Sequence, residues 1–259
     1  METELQRCGI SAERIEAVTP ETLPIDVIRK LQTRGPVRAC TESHRVIWRK
    51  LLASNAPAAL ILEDDARLSP ALRGFLRWPE LAGDWFDVIK AETREKSVWL
   101  ARAKSRHSRG DVAVERLLSQ HIGTTGYVIG REAARRLLDA PELETQGIDT
   151  FLFSRHGPVL YTLRVFQCRP GLCIAEEFTA QPDSDIARSD ISAKRPRIKR
   201  KRLLQVARKA EELRNFYWSF GRQGLLFGAR RTLVPMHTAQ PVAGPAGSPD
   251  LVVTEVAAS

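Results

Sequence analysis

Residues 57–62, Pro-Ala-Ala-Leu-Ile-Leu, form a nearly unbroken apolar run that ends abruptly in Glu63-Asp64-Asp65. A short continuous run of this kind is the pattern of a strand buried on both faces of a parallel sheet. Upstream, Val46, Ile47, Leu51 and Leu52 recur at helical spacing and predict a helix over Thr41–Ser54, with Thr41 or Ser43 as its cap. Residues Asp26 to Arg34 predict another helix, stopped by Gly35-Pro36. Met1 to Cys8 reads as the end of an amphipathic helix, and Glu13 to Val18 as a short strand.

Downstream of the acids, Ser69-Pro70 opens a helix with a capping residue followed by Pro at the first helical position. Phe86–Ile89 predicts a second short strand, and the mixed, basic stretch 97–118 a loop with a strand or two. Thr124–Gly130 predicts a strand with a glycine inside it. Arg131–Ala140 follows as a helix turning Ala133, Ala134, Leu137 and Leu138 inward. Gly147–Phe153 reads as a loop feeding a short helix, and Val159–Phe166 as a strand. Alternating strands and helices give the α/β class.

The pattern changes after about Ser189. Residues 194–202, Lys-Arg-Pro-Arg-Ile-Lys-Arg-Lys-Arg, hold seven basic side chains in nine positions. Leu203, Val206, Ala210, Leu213, Tyr217 and Phe220 then mark one stripe of an amphipathic helix. From Pro235 the chain is rich in Pro, Gly, Ala and Ser, a composition expected to stay disordered. The expected division is a body over 1–190, a basic helical appendage over 191–233 and a disordered tail over 234–259.

A chain of 259 residues with 43% hydrophobic residues can bury a sizeable core. The net charge of +9 favours an anionic partner: nucleotide, nucleic acid or an acidic membrane surface. Cys8, Cys40, Cys168 and Cys173 show neither zinc-ligand spacing nor a disulfide framework, which reads as reduced thiols in a cytosolic protein. The first residues lack the apolar core of a signal peptide, and no stretch approaches the roughly 20 apolar residues of a membrane span. A soluble or peripheral protein is expected.

Three adjacent carboxylates at a strand end concentrate negative charge at the carboxyl edge of the sheet, where open α/β folds bind ligands. A hard divalent cation makes that charge tolerable, and Mg²⁺ and Mn²⁺ prefer carboxylate oxygens. The plainer reading is a solvated acidic turn after a core strand.

Four segments in fixed order separate these readings: Ala39-Cys40-Thr41-Glu42-Ser43-His44-Arg45-Val46-Ile47-Trp48, Ala59–Asp65, Thr125-Gly126-Tyr127-Val128-Ile129, and Ile148-Asp149-Thr150-Phe151-Leu152. Together they resemble glycosyltransferase family 25, whose bacterial members build lipopolysaccharide or lipooligosaccharide and whose animal relatives galactosylate collagen. The resemblance covers about residues 5–190, and Ser184-Asp185-Ile186 is similar to the close of the family's domain. It implies a GT-A-like, Rossmann-type nucleotide-sugar-binding domain. It differs in one respect: family members open with a strand of the type Val-Ile-Asn-Leu, and this sequence opens inside the helix that follows it. The sheet is therefore expected to lack its first strand, through a start assigned too far downstream, a degraded copy or a shorter variant with a rearranged edge.

The resemblance implies transfer of a hexose, galactose foremost, from a UDP-sugar to a lipopolysaccharide-type glycan, with inversion and with Mn²⁺ or Mg²⁺. Asp65 is the first choice as metal ligand, with Glu63 in the ribose or metal shell because strand residues i and i+2 point the same way. Asp64 then faces the other side and orients the surroundings. Asp149 is the candidate general base, or a helix cap. Ser43 is a nucleotide contact or a cap, and His44 a structural or substrate-contacting residue. Tyr127 is a core residue or a stacking platform. Lys90 and Arg94 are phosphate contacts or solvated surface. A lipid-linked acceptor gives the basic segment 194–220 a role at the anionic inner face of the plasma membrane. The competing readings are an inactive, truncated family member that binds glycan or membrane, and a nucleic-acid-binding protein acting through the same basic segment.

Overall fold

The computed structural model describes residues 1–23, 35–101, 107–179, 228–238 and 252–256. The helix expected over 26–34, the Ser184–Ile186 motif and the basic segment 194–220 lie outside the described residues. In chain order the elements are α1 (Glu2–Cys8), β1 (Glu13–Ile15), α2 (Gly35–Ala53), β2 (Ala58–Glu63), β3 (Ala66–Leu68) and α3 (Ala71–Leu76). Then come β4 (Val88–Lys90), β5 (Ser97–Ala101), β6 (His107–Arg109), β7 (Val112–Arg116), β8 (Gly126–Gly130) and α4 (Arg131–Leu137). The described chain closes with α5 (Ile148–Phe153), α6 (Val159–Thr162), β9 (Val165–Arg169), β10 (Cys173–Ala175), β11 (Ala229–Leu233) and β12 (Val252–Val256).

Eight strands form the main sheet in the order β1-β12-β2-β8-β4-β9-β7-β6. The architecture is mixed α/β, and so is the sheet. The apolar run does form a strand buried on both faces, but one of its neighbours, β8, runs antiparallel to it, with Ala59 opposite Ile129 and Ile61 opposite Tyr127. β4 is likewise antiparallel to β8 and parallel to β9, so β2 and β4 run the same way and end at one edge.

Alternation along β2 divides the core in two. Ala59 and Ile61 join Ile47, Trp48 and Leu51 of α2 together with α4, α5 and α6 on one face. Ala58, Leu60 and Leu62 face Leu5 and Cys8 of α1 and Leu72 and Phe75 of α3 on the other. Burying each Leu, Ile or Phe among them contributes about 1.5–3 kcal/mol, which fixes the register of β2 and with it the position of the acids. Arg131 locks the α2–β2 connection, its guanidinium donating to the carbonyls of Leu52, Ser54 and Ala56.

Two expectations are corrected. Val159–Phe166 is not one strand: Pro158, with φ −72° and ψ −29°, starts the helical turn α6, and the strand begins only at Val165. The stretch expected as an appendage and a disordered tail supplies two strands. β11 pairs antiparallel with β5, and the chain beyond it is tied down by Gly171 N–H donating to the Pro235 carbonyl at 2.8 Å. β12 lies between β1 and β2, parallel to both, with Val252 opposite Ala59 and Val256 opposite Glu63. The sheet position beside β2, for which the sequence pattern offered no strand, is filled from the far end of the chain.

Candidate active site

Glu63 is the last residue of β2, and Asp64 and Asp65 form the turn into β3. Strand alternation therefore stops at Glu63 and does not by itself aim Asp65. Pairing does: the Glu63 N–H donates to the Thr125 carbonyl at 3.0 Å, and the Asp65 carbonyl accepts from Glu176 N–H at 2.9 Å. These bonds hold both ends of the turn against the start of β8 and the residues after β10.

Asp65 is the most perturbed acid of the site. Burial, reinforced by Glu63, Asp64, Glu92 and Glu177, lifts its carboxyl to about 7. Its Oδ1 is removed from water and has no hydrogen-bond partner among the described residues. Glu63 behaves oppositely. Burial would raise it, but His44, Thr124 and Lys90 outweigh that effect and hold it below the usual carboxylate range. Thr124 Oγ1 donates to Glu63 Oε1 at 2.6 Å.

His44 is fully buried on α2. Its Nδ1 lies 2.8 Å from the Tyr127 hydroxyl, which accepts from Trp48 Nε1 at 3.1 Å. Its Nε2 faces Glu63 Oε1 at 3.6 Å. Trp48, Tyr127, His44 and Glu63 thus form a chain running from the core to the site edge, and Tyr127 is a core residue with its hydroxyl satisfied. Ser43 serves the fold: buried within α2 rather than capping it, its Oγ accepts from Val18 N–H at 2.9 Å and donates to the Ala39 carbonyl at 3.0 Å.

Asp149 lies in the first turn of α5, whose cap position is Gly147. Its Oδ1 accepts from Thr150 N–H at 2.6 Å. Burial pushes the Cys40 thiol, one turn before His44, well up, and Glu63, Asp149 and Asp65 add to that.

Lys90 is neither solvated nor free for a phosphate. It is fully buried, donating to Glu92 Oε2 at 2.7 Å and to the Gly123 carbonyl at 2.6 Å, with its ammonium 4.2 Å from the Phe153 ring centroid. Arg94 Nε donates to the other oxygen of Glu92 at 3.1 Å. Glu92 was not visible as a functional residue in the sequence. The only signal was its place two residues beyond Lys90, on the same face of an extended chain. It also explains Gly123, whose φ is +127° and whose added Cβ would stand 2.2 Å from Glu92 Oε1. His121 and Gln167 were missed as well. Their side chains meet at 2.7 Å, and burial together with Lys90, Arg94 and Lys96 lowers His121 to about 3, leaving a neutral imidazole.

The sequence profile of glycosyltransferase family 25 (LPS biosynthesis protein) matches residues 1–152. The chain is 28% identical over 228 residues to the lacto-N-neotetraose biosynthesis glycosyltransferase LgtE of Neisseria gonorrhoeae, covering 82% of this chain and 78% of that protein. It is 30% identical over 178 residues to LgtB of the same organism, covering 64% and 61% respectively. Procollagen galactosyltransferase 2 of Mus musculus is 25% identical over 167 residues, which is 58% of this chain and 26% of the mouse protein.

Proposed function

Because the chain belongs to glycosyltransferase family 25, we propose that it moves a hexose, galactose foremost, from a UDP-sugar to a lipopolysaccharide-type glycan, inverting the anomeric centre with the help of a divalent cation. Asp65 carries this reading: a carboxyl oxygen out of water, without a hydrogen-bond partner among the described residues, in the field of four other carboxylates. Burying like charges this way is costly unless a cation shares them. Mn²⁺ or Mg²⁺ fits an all-oxygen donor set, and Asp65 and Glu63 would hold it. When bound, such an ion supplies Lewis-acid neutralisation of the diphosphate leaving group.

The chain's own residues orient and move protons. Thr124 holds Glu63 from one side while His44 faces it from the other. If the Tyr127 hydroxyl donates to His44 Nδ1, the proton on Nε2 points at Glu63, which fixes one tautomer. Lys90 and Glu92 together hold the Gly123–Thr125 backbone, since Lys90 binds the Gly123 carbonyl and Glu92 accepts from Thr125 N–H at 3.2 Å. Inversion in one displacement needs a single carboxylate to take the acceptor proton as the new bond forms, and Asp149 is assigned that task. On the same reading the enzyme works at the inner face of the plasma membrane, with residues 194–220 meeting anionic lipid. No helix among the described residues is long and apolar enough to cross a membrane.

The test is hexose transfer and UDP release from UDP-galactose, with Mn²⁺ and a truncated lipooligosaccharide as acceptor. Activity is expected, lost with EDTA and restored by Mn²⁺, and Asp65→Ala is expected to lose both transfer and UDP binding. A protein that does not bind UDP, or whose UDP binding survives Asp65→Ala unchanged, refutes the reading.

A further inference from the structure

Cys40, His44 and Glu63 offer a sulfur, a nitrogen and an oxygen atom that all lie within 4.8 Å of one another. We propose that these three residues form a second cation site, sharing Glu63 with the all-oxygen Asp65 site but differing from it in donor chemistry, that takes a borderline ion of the Zn²⁺ class.

Local geometry builds it. Residues i and i+4 of a helix lie one above the other, so Cys40 and His44 present one face of α2 to the end of β2, where Glu63 stands. His44 Nε2 is the independent pointer to a ligand. It is fully buried, has no hydrogen-bond partner among the described residues, and faces Glu63 Oε1 from 3.6 Å. At that distance a proton on Nε2 points at Glu63 without making a full hydrogen bond, which leaves the nitrogen open to a cation. Metal-bound histidines typically engage their other ring nitrogen in a hydrogen bond that fixes the ring, and here Nδ1 is engaged by the Tyr127 hydroxyl at 2.8 Å.

Donor type selects the ion. Thiolate and imidazole favour Zn²⁺ over Mg²⁺ or Mn²⁺. Zn–S and Zn–N bonds of about 2.3 and 2.0 Å place tetrahedral donors about 3.5 Å apart. The His44–Glu63 pair is already at that separation, and no donor pair, all within 4.8 Å, has to close by more than about 1.3 Å. Three protein ligands leave the fourth position open. Access is available too, since the Glu63 side chain is 26% exposed and Cys40 is partly exposed. On binding, Cys40 gives up its thiol proton to solvent, and a proton on His44 Nε2 moves to Nδ1, which then donates to the Tyr127 hydroxyl. One proton leaves per ion.

The bound ion is its own readout, so the test does not depend on transfer activity. The full chain, stripped by a chelator and kept in a non-thiol reductant, is titrated with Co²⁺ alone. A thiolate-to-cobalt charge-transfer band is expected to grow to one equivalent, to vanish in Cys40→Ser and to persist in Asp65→Asn. Absence of the band, or its survival in Cys40→Ser, overturns the proposal. A second measurement needs no variant: saturating Zn²⁺ is expected to slow iodoacetamide labelling of Cys40 in the unaltered protein about tenfold or more, read by peptide mass spectrometry, while Mg²⁺ leaves it unchanged. An unaltered Cys40 rate in Zn²⁺ overturns the proposal equally.

Discussion

Replacing Asp65 by Asn is expected to stabilise the cation-free protein above neutral pH and to leave it unchanged in acid. The Asp65 carboxyl is lifted to about 7 in the fold against an ordinary 3.8. Below about pH 4 the group is protonated in both folded and unfolded chains and contributes nothing to the difference. Between 4 and 7 the unfolded chain ionises while the folded chain holds its proton, so stability falls as pH rises, and the loss is complete above 7. The interval is about three pH units at about 1.4 kcal/mol each, an upper bound of about 4 kcal/mol. Partial exposure and relaxation reduce it, and roughly 2 kcal/mol at pH 8 is a working figure. For a domain of this size that corresponds to a rise of roughly 4–8 °C in Tm. Thermal unfolding followed by circular dichroism in EDTA, at about pH 3.5 and about pH 8, reads it directly. Mn²⁺ added at pH 8 is expected to stabilise the unaltered protein and not Asp65→Asn, since a cation binding only the folded state shifts the equilibrium by mass action. A variant no more stable than the parent at pH 8 in EDTA would refute the argument that Asp65 is held as a strained, cation-seeking carboxyl.

Asp149→Asn is expected to lower kcat for transfer by about 100-fold or more while UDP-sugar affinity stays within a few-fold, because a base acts on the acceptor in the transition state; equal loss of donor affinity by calorimetry would make it a donor residue. Glu92→Ala strips the fully buried Lys90 of its counter-charge and is expected to cost about 3 kcal/mol by urea denaturation, with Glu92→Gln milder; an unchanged midpoint would contradict the network. Deleting residues 250–259 removes β12 and uncovers the facing edges of β1 and β2. Hydrogen exchange of the Ala59–Leu62 amides is then expected to accelerate roughly 100-fold, and unchanged protection would mean that β12 does not hold the sheet. Removing residues 194–220 is expected to release the protein from anionic vesicles in a sedimentation assay, and unchanged sedimentation, or binding to DNA but not vesicles, rejects the membrane anchor.

Where the sequence was legible, one local pattern dominated. The run ending in Glu63-Asp64-Asp65 placed β2 and its acids at a sheet edge because apolar continuity and charge at its end are both local facts. The i, i+4 spacing of α2 was equally plain. What the pattern could not carry was partnership. Lys90 and Arg94 looked like surface cations because their counter-charge, Glu92, is recognisable only once Gly123, with its positive φ, lets the carboxylate in. His44 read as an isolated histidine because Cys40 and Glu63 become its neighbours only when α2 packs on β2. The tail misled for a different reason. Val252-Val253-Thr254-Glu255-Val256 is rich in β-branched residues, a strand pattern in its own right, but Pro, Gly, Ala and Ser dominate the residues before it and weighed more in the reading. Its register sets Val256 beside Glu63, so the far end of the chain braces the strand that carries the acids. The position of Glu63 and of the acids after it therefore depends on a segment roughly 190 residues away, which loop-closure entropy permits at modest cost and which no local pattern can announce.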